Sequence, residues 1–401
     1  MSGPVSGPVS GIGRGTGRGG PLSGVRVVEL GGVGPVPFCG MYFADMGADV
    51  VRIERPLGAD PLSQSRRKLN LLARGKQTIA MDFRGAEGQA VARDLVARAD
   101  IVMEGFRPGV LERLGLGPDD ALSLNARLVY GRMSGWGAGG PLSDAAAHDI
   151  NYIGLSGLLA AIGPRALPMP PLNVVGDFGG ALYLVTGLLA ALTHARTTGE
   201  GQVVEASIMG GAVALMSQLY TIRDHGDWVM ERESNWMDGG APFYRCYETS
   251  DGGFMAVGAI EPQFYAALVG LLGLSGEVDP AGQMDRATWP ATAERFARAF
   301  LTRTRDEWAR LAAQVEACCT PVLDLDEARR HPQAFASGLF ARVGGNMEPA
   351  PQPRFSRTPP DPLAASTPQG SEAQTILRSL GRSDAEIEAL YEAGIVSRPA
   401  D

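Results

Sequence analysis

Four side chains in this 401-residue chain have the types and surroundings to move a proton: His148, Asp149, Asp177 and Glu261. Histidine occurs only four times, and His148 stands with Asp149 immediately before an apolar stretch, Ile150–Ile162. Asp177 opens a second apolar run, Phe178–Thr193. An imidazole titrates near neutrality, and burial drives a carboxylate toward the same range, so the two together can act as acid and base. Spacing alone favours plainer roles. An aspartate at a helix start satisfies free amides as an N-cap, and a lone histidine beside an apolar helix is commonly a cap or a satisfied core group. Glu261, in AVGAIEPQF directly after an apolar strand, either caps the helix that Pro262 starts or pairs with a partner.

A second set could hold an anion. Of Arg55, Arg66, Arg67, Arg74, Arg84, Arg107 and Arg113, several fall at strand ends or first helical turns. Those edges are where ligands bind in open parallel sheets, and a guanidinium fork matches a phosphate. Taken by itself the set fits a solvated charged face better. The loop GGVGPVP after the first strand is glycine-rich but lacks GxGxxG, and no P-loop Lys-Ser/Thr follows it. Its prolines remove amide donors that a pyrophosphate would need, which disfavours a nicotinamide or flavin. Its glycines fit a close ligand approach and a purely structural turn equally well. Cys39, Cys246, Cys318 and Cys319 match no metal or CxxC spacing. They read as buried small apolar groups in a reducing compartment.

The elements that must position these groups follow from the hydrophobic pattern. Apolar residues make up 45% and charged residues 20%, a globular composition. The net charge of −8 argues against nucleic acid as a general partner. Strand patterns at Gly24–Leu30, Asp49–Ile53, Thr78–Phe83, Ile101–Glu104 and Leu128–Met133 alternate with helical stretches such as Phe38–Met46 and Glu87–Ala97. Such alternation implies an α/β fold with a Rossmann-like, mostly parallel sheet. Helices dominate from Asp149 to about His225. The runs Phe178–Thr193 and Ala206–Ile222 are short for a bilayer span and carry glycines, so core helices are expected rather than a membrane segment.

Residues 1–20 read as a flexible leader and 21–225 as the large domain, completed by 340–401. A linker at 226–235 leads to a smaller α+β domain at 236–330, which opens with a hairpin, Phe243–Thr249 and Phe254–Ala259. Pro349–Pro368 reads as a tether before a final helix pair. Arg398-Pro399-Ala400-Asp401 carries no peroxisomal tripeptide, and the expected location is cytoplasmic.

The segments that hold these residues are GPLSGVRVVELGGVGPVPFCGMYFADMGADVVRIERP, ARGKQTIAMDFR, EGFRPGVLERLGLGP, AHDINYIGLSG, PPLNVVGDFGG, GEGQVVEAS, MDGGAPFYRCYET, FMAVGAIEPQFY and ACCTPVL. In this order, from Gly20 to about Val396, the chain resembles the α-methylacyl-CoA racemases of the family III CoA-transferase superfamily. HDINY and GAIEPQF are similar to the racemase branch in particular. The resemblance implies a large α/β domain, a small domain and a homodimer of interlocked chains. It implies His148 and Asp177 as the acid/base pair, with Glu261 and Asp149 as acidic residues accompanying the histidine. Arg55, Arg74, Arg84 and Arg113 would contact the CoA nucleotide. CoA would enter as part of an acyl-CoA thioester, with no separate cofactor and no metal. One departure is the run Glu205-Ala206-Ser207-Ile208-Met209-Gly210-Gly211, where the family usually places an acidic residue before glycine.

Inverting a carbon by proton transfer needs a base on one face and an acid on the other, which two different groups can supply. A CoA-transferase would instead use the same aspartate as a nucleophile toward the thioester. That chemistry has no need of a histidine opposite, so His148 and Glu261 favour epimerisation. A CoA-binding protein without activity is the third reading, and the full His/Asp/Glu set argues against it.

Overall fold

A computed structural model describes residues 19–56 and 70–398. Arg66 and Arg67, and nearly all of the leader, lie outside the described residues. The described chain divides into two compact units. The first comprises the chain up to Ile153, Asn173–Ala214 and the residues from Phe335 onward; the second comprises Gly154–Leu172 and Leu215–Ala334.

The first unit is built on six parallel strands. They are β1 (Arg26–Leu30), β2 (Asp49–Glu54), β3 (Gln77–Ala80), β4 (Ile101–Glu104), β5 (Val129–Ser134) and β6 (Gln202–Ser207), in the order β3-β2-β1-β4-β5-β6. Successive side chains of a strand point to opposite faces, and both faces here are covered by helices, so the strands read as near-continuous apolar runs. On one face Val28, Val51, Val102 and Tyr130 pack against Val91 and Leu95 of α2 (Ala86–Arg98) and against Ile376 and Leu377 near the C-terminus. On the other, Val27, Val50, Ile101 and Val129 meet α1 (Pro35–Asp45) through Val36, Cys39 and Phe43. They also meet α5 (Gly179–Thr198) through Leu184, Leu188 and Leu192. Between α2 and α5 the chain forms α3 (Pro118–Leu124) and α4 (Asp149–Leu155).

Strand order reverses between β1 and β4. The loops that leave their carboxyl ends diverge there and leave a crevice, the usual ligand position in such sheets. A buried ionic group fixes the first of these loops. Lys76 Nζ donates to Glu29 Oε2 at 2.5 Å and to the Pro37 carbonyl at 2.8 Å. Arg52 pairs with the same glutamate and donates to the Gly32 carbonyl at 3.0 Å. Gly40 has to be glycine, because a Cβ there would stand 2.0 Å from Glu29 Oε2.

Several expectations change at the level of elements. Gln202–Ser207 falls in the region expected to be helical but is the edge strand β6; its exposed and half-buried positions lack the buried run that marks the inner strands. The helical stretch around Phe178 is longer than its apolar run suggested. It spans Val174–Thr198, 25 residues, and among the described residues it alone has the length and hydropathy to cross a membrane. Its sheet-facing side, including Ala181, Leu184 and Leu188, is core. Residues 154–172 were assigned to the large domain, yet they belong to the second unit. There Arg232 donates to the carbonyls of Pro164 and Arg165 at 3.0 and 2.9 Å, and the Arg165 amide donates to Glu233.

In the second unit three antiparallel strands, β7 (Tyr244–Glu248), β8 (Phe254–Gly258) and β9 (Cys319–Pro321), pack Tyr247, Met255 and Val257 on helices at Pro262–Leu271, Trp289–Phe300 and Arg305–Ala312. The opposite face presents Tyr244, Cys246, Phe254 and Thr320 to an open cavity of about 1340 Å³, which Met169 and Met237 also line. Cys39 and Cys319 are buried, whereas Cys246 and Cys318 are exposed, contrary to the expectation for all four. Strand alternation sets Cys246 on the open face, and a left-handed backbone (φ 45°) turns Cys318 outward just before the buried Cys319.

Candidate active site

Asp177 lies in the crevice side of the first unit. Immediately before α5 the backbone makes one π-helical turn, Val174–Phe178, and Asp177 sits within it. Such turns interrupt α-helices most often at functional positions. The carboxylate makes no capping bond to either helical segment, so the N-cap role open to it in the sequence is not the one it takes. Its Oδ2 accepts from Asn173 Nδ2 at 3.1 Å. Gly34, in the loop after β1 with φ 70°, comes so close that a Cβ there would stand 3.3 Å from the same oxygen. The Phe38 ring of α1 packs on Phe178 with centroids 4.8 Å apart, tying this turn to the helix beside it.

Asp149 and His148 approach from α4. Asp149 Oδ1 accepts from the Asp177 backbone amide at 2.8 Å. The approach exists only because residue 176 is glycine, since a Cβ there would overlap that oxygen at 2.0 Å. Asp149 therefore supports the backbone of Asp177 while standing next to His148 in the chain. His148 is exposed, its amide donates to Asn151 Oδ1 at 3.1 Å, and its carbonyl accepts from the Asn151 amide at 2.9 Å. Tyr152 anchors the segment: its hydroxyl donates to the Ala147 carbonyl at 2.8 Å and its ring meets Trp136 edge-on at 4.7 Å. Gly135 leaves the space for that ring.

The electrostatics follow the geometry. Burial pushes the Asp177 carboxyl above the ordinary aspartate range, while the Asn173 hydrogen bond and the positive charge of His148 pull it down. Asp149 is likewise raised, first by burial and then by the Asp177 charge, against the lowering effect of the amide it accepts from. His148 adjoins Asp149, whose carboxylate accepts from the Asp177 amide, so the two groups stand on neighbouring segments. An imidazole and a partly desolvated carboxylate on neighbouring segments are groups that can exchange protons with a bound molecule.

Glu261 belongs to the second unit. It occupies the position before Pro262 but makes no side-chain cap, and it is exposed. Capping, one of its two readings, is therefore not its use. The Cys318 thiol is pushed up by burial and by the neighbouring Glu261 charge.

The arginines divide into two kinds. Arg55, Arg107 and Arg113 are exposed and follow the carboxyl ends of β2 and β4. Arg84 follows β3 and is 80% exposed, in a fork with Asp82 whose closest contact is 2.6 Å, and this guanidinium holds Asp82 down at about 2. A phosphate at Arg84 would compete with that pair. Arg74 is different: it is buried, bonded to Asp45 at 2.9 and 2.5 Å and to the Pro349 carbonyl at 2.7 Å. Its donors are spent inside the fold, which corrects its assignment to the CoA nucleotide.

Two participants have no role in the sequence reading: Asn173 and Tyr152. Asn173 carries a usable signal, since it precedes Asp177 by four residues, the spacing of neighbours on a helical face. Tyr152 depends on contacts with Trp136 and Ala147 that leave no local mark, whereas Gly34 stands in the loop whose glycines fit a close approach.

Residues 22–373 match the family model described as CoA-transferase family III. The chain is 45% identical over 379 residues to the alpha-methylacyl-CoA racemase of Mus musculus, covering 94% of this chain and 97% of the mouse protein. The Homo sapiens alpha-methylacyl-CoA racemase is 41% identical, with the same coverage of both chains. A solved CAIB/BAIF family protein from Brucella suis shares the fold, with a TM-score of 0.76 over 90% of this chain and 100% of that one at 24% identity. By the family model and by these relatives, the chain belongs to CoA-transferase family III.

Proposed function

We propose that this enzyme is an isomerase that epimerises the α-carbon of 2-methylacyl-CoA or related 2-substituted acyl-CoA thioesters. The observation that carries the proposal is the placement of a partly desolvated Asp177 beside the loop after β1, its amide held by Asp149, the residue next to His148. One group removes the α-proton and the other returns a proton to the opposite face, so the free enzyme carries a single proton shared between the two. The intermediate is an enolate whose oxygen needs donors. The Asp177 amide is already bonded to Asp149 and the Phe178 amide to the Asn173 carbonyl. The start of α4, at Asp149 and Ile150, therefore offers the better amides.

CoA enters as part of the substrate, and Arg55, Arg84 and Arg113 are proposed to hold its nucleotide. Glu261 enters through the resemblance to the racemases, as a carboxylate that could hold the imidazole tautomer. The working form is proposed to be a homodimer of interlocked chains, consistent with the exposed Leu182 and Tyr183 on α5. The acyl group remains open to variation, because the moving proton involves only the thioester end.

The rival is CoA transfer through an acyl–aspartyl intermediate at Asp177. Incubating one enantiomer of a 2-methylacyl-CoA thioester without any free acid separates the two. Loss of optical purity supports the proposal. Optical purity that persists until a carboxylic acid is added, with CoA then moving to that acid, establishes the transferase.

A further inference from the structure

Asp177 Oδ2 is enclosed. Asn173 donates to it at 3.1 Å, and Gly34 lies near enough that a side chain there would crowd it. Among the described residues no hydrogen bond reaches Oδ1. The backbone around Asn173 is unusual in two respects: Leu172 holds a left-handed φ of 58°, and the turn that follows is π rather than α. Strained conformations of this kind persist where the surrounding structure needs them. Here they bring the Asn173 amide back onto a carboxylate four residues ahead.

We infer that Asn173 is a positioning residue for proton transfer, which holds Asp177 Oδ2 so that Oδ1 is the oxygen that exchanges the proton with the substrate carbon. The inference rests on the two-base reading above. The groups around Asp177 are His148 before α4, Asp149 and Tyr152 within α4 with Arg107 acting on the same tyrosine, and from the neighbouring elements Gly34 and, packed on Phe178, Phe38. The last two do not titrate. Burial raises the proton affinity of Asp177, and Asn173 is the first-named influence opposing it. Without this donor, burial acts with less opposition.

The consequence is specific to pH. In a two-base epimerase the productive free enzyme holds one proton between the pair, and gaining a second abolishes reaction in both directions. The acid limb of kcat/KM is therefore common to both enantiomers and reports uptake of the second proton by the pair, which a higher proton affinity of Asp177 moves to higher pH. Asn173→Ala moves that limb to higher pH. Asn173→Asp moves it further, since a second carboxylate then faces the first.

The test measures deuterium incorporation at C2 of a 2-methylacyl-CoA thioester across the pH range for the wild type and both variants. Asn173 is exposed, so the variants are expected to fold, which matching circular dichroism spectra check. Acid limbs rising in the order Asn, Ala, Asp support the inference. A rate lowered by one factor at every pH, with the limb unmoved, reduces Asn173 to a structural part and overturns it. No exchange by the wild type would overturn the two-base reading itself.

Discussion

Burial makes Asp177 a reluctant anion, and that reluctance suits it to carry a proton. His148→Ala and Asp177→Ala are each expected to lower α-proton exchange by about 10²–10⁴-fold, the usual contribution of a positioned acid or base. The same burial has a thermodynamic sign. A carboxyl whose folded proton affinity is raised contributes stability at low pH that is lost as pH climbs through its folded titration. Asp177→Asn removes this liability, so at neutral pH its Tm should be no lower than that of the wild type. Acidification should shift the difference in the wild type's favour. Calorimetry across pH checks this, and a variant much less stable at neutral pH would contradict it. The residues were legible as candidates because histidine is scarce and the flanking runs are apolar. Their roles were not legible locally: an aspartate before an apolar helix reads as a cap, and only the π turn and the Asn173 bond remove that reading.

Buried polar contacts tie the elements of the first unit together. Arg74 and Asp45 are paired out of water, and removing one partner strands the other charge. Arg74→Leu is expected to destabilise the fold by about 3–5 kcal/mol, while CoA affinity of the folded variant stays at the wild-type value. Denaturant unfolding and calorimetric titration with CoA measure the two quantities separately, and a large loss of affinity would return Arg74 to the binding site. Gly34→Ala tests the loop after β1. Its left-handed φ of 70° strains any side chain, and the new methyl would crowd Asp177 Oδ2 at 3.3 Å. Exchange should fall more steeply than stability does. The inner strands were readable because burial on both faces makes them apolar runs. β6 was not, since an edge strand carries a mixed pattern that a helical neighbourhood masks. Segment 154–172 changed unit through hydrogen bonds of Arg232 and Glu233, which no hydrophobic period records.

At the scale of the whole molecule, the first unit exposes Leu182 and Tyr183 on α5 at 44% and 43%. Large apolar side chains together on a surface suggest an interface. Sedimentation equilibrium is expected to give twice the chain mass of 42.1 kDa, and a monomer at assay concentrations would contradict the interlocked pair. The proton chemistry is tested most directly by following one pure enantiomer of a 2-methylacyl-CoA thioester in heavy water at early times. With separate carriers on opposite faces, the newly formed enantiomer holds deuterium at C2 while the remaining starting enantiomer still holds hydrogen. Thioester that keeps both its configuration and its hydrogen, at full enzyme integrity, would contradict the assignment of His148 and Asp177.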